Sequence, residues 1–179
     1  MGWIEAWDAT WLQVMREARA PALTAVALAL SVQGGVLFGS VLLPAALAIA
    51  FVVRGYRRGG LFLLATAVAT AVLTRVVKEL VGADRPPGGL LELASPSWPS
   101  GHASAASALA VSVVLLVRRS WVVAAGALYV LLHALARTYL GVHWLSDTVA
   151  GAVLGAAVAI VGWLLTGRPR ADRTVRTAA

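Results

Sequence analysis

Apolar residues run through this chain in stretches of roughly twenty, separated by short polar breaks. The runs at 35–53, 61–81, 101–117, 121–140 and 144–166 read as helices crossing a hydrocarbon core about 30 Å thick. Lipid offers no partner to backbone N–H and C=O groups, so such runs must satisfy themselves as helix. The run at 22–34 is only thirteen residues long, too short to span alone, and Gln33-Gly34-Gly35 interrupts it. It reads either as the first part of one long broken helix or as a short re-entrant piece. Residues 1–20 are patterned differently: Trp3, Trp7, Trp11 and Met15 recur every four positions, with Glu5, Asp8, Arg16 and Arg19 between them. That predicts a helix in the membrane interface with its indoles at headgroup depth. The other reading is an ordinary amphipathic helix packed on the domain. The connection 82–100 holds four of the seven prolines and three glycines, so it cannot be helix throughout and must lie outside the lipid.

These elements predict an all-α protein, a polytopic transmembrane helical bundle of five or six membrane helices with an N-terminal interfacial amphipathic helix. The expected divisions are that helix at 1–20, a transmembrane domain at 21–166, and a polar, basic, disordered tail at 167–179. Composition agrees: 60% of residues are hydrophobic and 13% charged, too little charge to cover the surface of a soluble domain. The start, Met1-Gly-Trp-Ile-Glu, has no basic segment before an apolar run, which argues against a cleaved signal peptide. With no cysteine, neither disulfides nor thiolate metal ligands are available.

A net charge of +7 would suit a nucleic-acid partner, but the placement of the arginines argues for membrane orientation instead. Arg54, Arg57 and Arg58 share one loop, Arg118 and Arg119 another, and Arg168, Arg170, Arg173 and Arg176 the tail. Five spans put all three segments on one side, which the positive-inside rule makes cytoplasmic. The 82–100 loop and the 141–143 turn then face outward from the plasma (inner) membrane. Arg16 and Arg19 also fall on the outer side if 22–53 crosses once, against the rule.

Alternation of the spans brings a set of polar residues to that outer face. Lys78 lies near the end of one span and Arg85 just beyond it; Ser100, Gly101 and His102 open the next; Arg137 closes another; His143 and Asp147 open the last. Lys78 is the chain's single lysine, and Asp147 is the one acidic residue between Glu92 and Asp172. Ionisable groups in a span are costly and face a cavity or a partner. Taken singly, each reads equally well as a helix-end anchor or an internal ion pair; as a set on one face they suggest phosphoryl transfer. Lys78, Arg85 and Arg137 can neutralise phosphate oxygens, arginine as a fork and lysine as a point charge. Pro99-Ser100-Gly101-His102 has the form of a helix start with Ser100 as N-cap, where free N–H groups bind anions. His143 and Asp147 are four apart and share a helix face. The carboxylate can hold one ring nitrogen as N–H and leave the other as a nucleophile. His102 is then placed to protonate the leaving group.

Lys78, Arg85-Pro86, then Pro99-Ser100-Gly101-His102, then Arg137, His143 and Asp147 resemble, in order and spacing, the three-part signature of the type 2 phosphatidic acid phosphatase superfamily. The signature covers 78–147, and the family's helical core would extend over about 35–166. The resemblance implies a metal-independent, cofactor-free membrane lipid phosphatase. His143 would become phosphorylated, His102 would act as general acid and Asp147 would orient His143. Lys78, Arg85, Arg137, Ser100 and Gly101 would bind phosphate. Ala136 departs from the family pattern, which usually has serine before the third-motif arginine; a hydrogen bond is lost there but no proton-transfer group. Among lipid phosphates, phosphatidic acid, phosphatidylglycerol phosphate and a polyprenyl (di)phosphate all fit. The Ala-, Val- and Arg-rich composition resembles proteins of high-GC bacteria, which need polyprenyl carriers, and so favours the last.

Other residues read as structural. His133, four before Arg137, is expected to be a buried, hydrogen-bonded histidine, with pocket lining as the alternative. Arg75 and Glu79 form an i,i+4 ion pair, and Asp84 tempers Arg85 or faces water. Gly151 and Gly155 permit close helix packing, and Trp144 and Trp163 anchor the last span at the interfaces. Two other functional classes fit the same residues: His102, His143 and Asp147 as metal ligands of a transporter or metallohydrolase, or a catalytically silent membrane scaffold.

Overall fold

The computed structural model describes residues 2–167, and every regular element among them is helical. The tail expected to be disordered, from Arg168 onward, lies outside the described residues. In chain order the elements are α1 (Trp3–Glu17), α2 (Pro21–Gln33), a π-helical stretch (Val36–Leu42) running into α3 (Leu43–Val53), α4 (Arg57–Val81), α5 (Gly101–Val117), α6 (Ser120–Tyr139) and α7 (Leu145–Leu165).

Four segments are long and apolar enough to cross a membrane: Val36–Val53, α4, α6 and α7. The fifth expected span, α5, has 17 residues, or about 26 Å at 1.5 Å per residue. It is the central helix, packed against α4, α6 and α7. Its shortness follows from where it begins: the preceding Ser97, Pro99 and Ser100 are fully buried, so the loop enters the bundle before the helix starts.

The tightest interface joins α5 to α7, and glycine makes it possible. A Cβ on Gly151 would lie 2.5 Å from the Ser100 carbonyl oxygen, and one on Gly155 would overlap the Ser104 carbonyl oxygen. The small-xxx-small pair thus lets the α7 backbone rest on that of α5. The expected Arg75–Glu79 pair forms on the exposed face of α4, at 2.8 Å.

The ambiguous run at 22–34 is a separate helix, and Val36–Val53 after it is long and apolar enough to cross a membrane. Helix α2 packs along α6 from the middle of that helix to its C-terminal end. Ala27 packs with Ala136, Tyr139 and Leu140, the Ala20 N–H donates to Tyr139 Oη at 2.8 Å, and Thr24 Oγ1 lies 3.1 Å from the same hydroxyl. At its C-terminus Gln33 Nε2 donates to Tyr129 Oη at 3.2 Å. The chain then folds tightly on itself: a Cβ on Gly39 would lie 2.7 Å from the Gly34 carbonyl oxygen. The N–H groups of Gly39 and Ser40 both reach the Gly35 carbonyl, the wide turn of a π-helix.

Helix α1 is docked on α6 and α7. Its Asp8 is buried and accepts from the Ser146 N–H (2.9 Å) and Oγ (2.6 Å), capping the first turn of α7. Trp3 and Trp7 point away, 70% and 66% exposed, as indoles meeting an interface would. Arg16 and Arg19 donate to the carbonyls of Pro87 and Gly88 in the long loop. Their position on the loop side therefore has a structural cause beyond membrane orientation. Arg54, Arg57, Arg58, Arg118 and Arg119 occupy the opposite helix ends.

Candidate active site

The long loop is wrapped around two of the predicted cations. Lys78, buried in the last turns of α4, donates through Nζ to the Pro96 carbonyl and to that of Ser97 (3.0 Å). Arg85 donates through Nε to the Ser95 carbonyl (2.9 Å), through Nη2 to Ser95 Oγ (3.1 Å) and the Pro96 carbonyl (3.2 Å), and through Nη1 to the Val142 carbonyl (2.6 Å). Ser97, fully buried, donates its N–H to the Ala83 carbonyl and its Oγ to that of Asp84, both at 2.8 Å. Trp144 Nε1 donates to the same Asp84 carbonyl at 3.0 Å, so this indole fastens the loop. Backbone carbonyls thus hold both cations where the loop meets the bundle, and Arg85 joins the loop to the α6–α7 turn.

That turn delivers His143. Gly141 adopts a left-handed conformation (φ +67°) that glycine takes without strain, and Val142 N–H closes back on the Arg137 carbonyl at 3.2 Å. His143, 3% exposed, places Nδ1 3.1 Å from Asp147 Oδ2. A carboxylate accepts, so Nδ1 carries the proton and Nε2 presents its lone pair. The same Oδ2 accepts the Trp144 N–H at 2.9 Å, which fixes the carboxylate in the first turn of α7. Nε2 faces Arg85 Nη1 at 3.4 Å. Burial, followed by the charges of Arg137, Arg85 and Lys78, pushes the His143 pKa well below the ordinary imidazole range. The ring is therefore neutral at physiological pH, and its bond to Asp147 is a hydrogen bond between a neutral donor and an anion. Burial also lowers the pKa of Arg85, with Asp147 opposing.

The start of α5 closes the other wall. Ser100 occupies the N-cap position as expected, but its hydroxyl does not cap the helix. Its N–H is tied to the Asp147 carbonyl at 2.9 Å, anchoring α5 to α7, while its buried Oγ has no partner. A Cβ on Gly101 would meet only Thr74 Cγ2, at 3.9 Å, so the fold itself leaves room beside this backbone. The helix supplies no acceptors for the N–H groups of its first turn. A hydroxyl, N–H groups and open space converge there, as an anion site requires.

Arg137 and His102 face each other across α2. Arg137, 3% exposed, donates through Nη1 to Ser31 Oγ at 2.5 Å, and its Nε has no partner. His102 places Nε2 2.9 Å from the Ser31 carbonyl oxygen. His133 departs from expectation: it is fully buried, but neither ring nitrogen is hydrogen-bonded. Its surroundings explain this. Tyr129 packs edge-on at 4.5 Å, and the Gly34 backbone fills the space where an acceptor would stand. Among the described residues no group of three or more His, Asp or Glu side chains is arranged to hold a metal ion.

A cavity of about 250 Å³ opens from Lys78, Gly101 and His102 and continues between α4, α5 and the π-helical stretch as far as Leu63 and Pro44. Lys78 and Leu63 are fifteen residues apart on α4, roughly 22 Å along the helix. One end is cationic and the remainder is lined mostly by Ala, Leu, Val and Thr.

Ser31 and Ser97 were not among the residues singled out in the sequence. Ser97 has no distinguishing signal in a loop rich in serine and proline. Ser31 has one: Thr24, Ala27, Ser31 and Gly34 recur at three- and four-residue spacing, a small and polar face on an otherwise apolar helix.

Comparison with known proteins agrees with this geometry. The chain is 33% identical over 121 residues to an undecaprenyl-diphosphatase of Sulfolobus acidocaldarius, covering 64% of this chain and 58% of that protein. It is 34% identical over 85 residues to a lipid A 4'-phosphatase of Bacteroides thetaiotaomicron, covering 44% of this chain and 36% of that protein. The chain thus spans little more than half the length of one relative and about a third of the other. The crystal structure of a transmembrane PAP2-type phosphatidylglycerolphosphate phosphatase from Bacillus subtilis matches with a TM-score of 0.76 at 25% identity, over 92% of this chain and 87% of that one. That of Aquifex aeolicus LpxE matches in fold with a TM-score of 0.67 at 24% identity, over 86% and 92%. The PAP2 superfamily profile matches residues 59–170, which include all three parts of the signature, and the chain belongs to that superfamily.

Proposed function

We propose that this protein is a membrane lipid phosphatase that hydrolyses a polyprenyl diphosphate or a related lipid phosphate without a metal. The observation that carries the reading is the cavity that starts at Lys78, Gly101 and His102 and runs along α4 between mostly apolar walls. A soluble phosphate ester has no use for an apolar channel beside its phosphate, whereas a lipid phosphate needs both. Similarity to an undecaprenyl-diphosphatase favours the polyprenyl diphosphate among lipid phosphates.

In the proposed reaction Lys78, Arg85 and Arg137 bind the phosphate oxygens, and Ser100 Oγ and the first-turn N–H groups of α5 complete the cradle. His143 Nε2 attacks phosphorus and the bond to the leaving oxygen breaks. His102 gives that oxygen a proton, and phosphate remains on His143. Asp147 holds Nδ1–H and stabilises the positive ring that forms. Water then attacks the phosphohistidine, His102 takes its proton, and phosphate and neutral His143 are released. For a polyprenyl diphosphate the leaving group is the prenyl monophosphate. The pocket lies at the helix ends opposite Arg54, Arg57, Arg58, Arg118 and Arg119, which supports an extracytoplasmic site in the plasma membrane.

The test is phosphate release by the purified full chain in detergent with EDTA. The panel comprises undecaprenyl diphosphate, phosphatidylglycerol phosphate, phosphatidic acid and soluble p-nitrophenyl phosphate. Release from lipid phosphates, greatest for undecaprenyl diphosphate, is expected. Loss of all activity with EDTA and recovery with a divalent ion would replace this reading with the metallohydrolase. A folded protein that releases phosphate from none of them would leave the scaffold.

A further inference from the structure

Ser31 belongs to no part of the signature, yet the side chains expected to bind phosphate and to move the proton both end on it. Arg137 comes from α6 and His102 from α5; Ser31 comes from α2, a helix of 13 residues. We propose that Ser31 is the positioning residue of this site, aiming Arg137 through its hydroxyl and selecting the His102 tautomer through its carbonyl. This inference rests on the reading above.

The hydroxyl half follows from the isolation of Arg137. Its guanidinium is buried, its Nε has no partner, and Ser31 Oγ holds Nη1 at 2.5 Å. The neighbouring position on α6 is the buried Ala136, which has no polar group to offer. A buried fork held at one corner takes its orientation from that corner. The carbonyl half follows from donor chemistry. A carbonyl oxygen can only accept, so the 2.9 Å contact places a proton on His102 Nε2. In the neutral ring Nδ1 is then bare, and Nδ1 must be the nitrogen that takes up and delivers the transferable proton. Gly34 holds α2 close enough for both contacts: a Cβ there would lie 2.8 Å from His102 Cδ2.

The test compares wild type, Ser31→Ala and Ser31→Thr as full-length protein in detergent, by lipid-phosphate kinetics, vanadate affinity and thermal midpoint. Ser31→Ala is expected to weaken vanadate binding and lower kcat/KM about 10-fold, mainly through KM, with an unchanged midpoint. Ser31→Thr, which keeps the hydroxyl, is expected to recover most of the loss. Unchanged kinetics and affinity in Ser31→Ala would overturn the hydroxyl half. So would equal impairment of both variants with a lowered midpoint, the mark of packing alone. The carbonyl half is read separately by ¹⁵N NMR of histidine-labelled wild type, which contains three histidines. The signal lost in His102→Gln should show the Nε2–H tautomer; a Nδ1–H tautomer would overturn it. Vanadate and NMR do not depend on turnover. If wild type hydrolyses no lipid phosphate yet Ser31→Ala binds vanadate more weakly, the proposed function fails and the positioning role stands.

Discussion

The two histidines of the site are held in different ways. His143 is fixed locally and redundantly. Its partner Asp147 is four residues on, in the first turn of α7, and that carboxylate also takes the Trp144 N–H. The helix carrying it is locked to α5 by Gly151, Gly155 and the Ser100 N–H. His102 is half-buried, borders the cavity, and is held by one carbonyl of a short helix that ends in Gly34-Gly35. A nucleophile must meet phosphorus in one geometry, which rewards rigidity. In the role proposed for His102, a proton donor beside an open cavity needs less fixing, and a single tether suffices.

The difference is sharpest in the leaving group. His143→Ala is expected to lower phosphate release by on the order of 10⁴-fold or more, for every substrate and with no phosphoenzyme. His102→Ala is expected to cost about 10²- to 10³-fold on phosphatidic acid, whose alkoxide needs a proton. The loss should be smaller on undecaprenyl diphosphate, whose leaving phosphate is more acidic. Single-turnover ³²P transfer and steady-state release measure both. Equal losses on the two substrates in His102→Ala would break the comparison, as would a phosphohistidine mapping to His102.

The rigid side can be loosened without touching a reacting group. A side chain at Gly155 collides with the Ser104 backbone carbonyl, which cannot swing aside. Gly155→Val is therefore expected to cost about 1–3 kcal/mol in stability, with activity falling in step as His143 and Asp147 shift. Thermal midpoint and phosphate release in detergent check this. A wild-type midpoint would mean that α5 and α7 part more easily than their packing implies.

The smallest effect concerns pH. Burial and three cations hold His143 neutral below the ordinary imidazole range. On the proposed mechanism protonation removes the nucleophilic lone pair, so activity is expected to fall as pH drops through that depressed pKa. Arg85→Gln removes one cation, which raises the His143 pKa and moves the acid limb of kcat/KM to higher pH. Comparing variant and wild type on one substrate cancels the titration of the lipid phosphate. A limb that stays in place, or moves to lower pH, would show that Arg85 does not act on His143 electrostatically.

The sequence by itself determined the helical bundle, because apolar runs of span length admit no other backbone in lipid. The pairing of His143 with Asp147 was legible from their spacing, but not for the reason of a shared helix face: His143 lies in the turn before α7 and reaches forward to Asp147 in the first turn of that helix. The gathering of Lys78, Arg85, Ser100, Gly101, His102 and Arg137 at one end of the bundle followed from alternation of the spans. Only the tertiary structure decided the rest. The small-residue face of 22–34 meets α6 through Ala27 and α5 through Ser31, partners that its own pattern does not name. His133 has no hydrogen-bond partner because Gly34 and Tyr129 surround it, which no local pattern states. The Ser100 N–H is tied to the Asp147 carbonyl, 47 positions away in the chain, and its hydroxyl is left without a partner. Ser31 reaches His102 across 71 positions and Arg137 across 106. Local spacing specifies neighbours on one helix; contacts between helices arise from packing, where a glycine or a single hydroxyl decides which side chains meet.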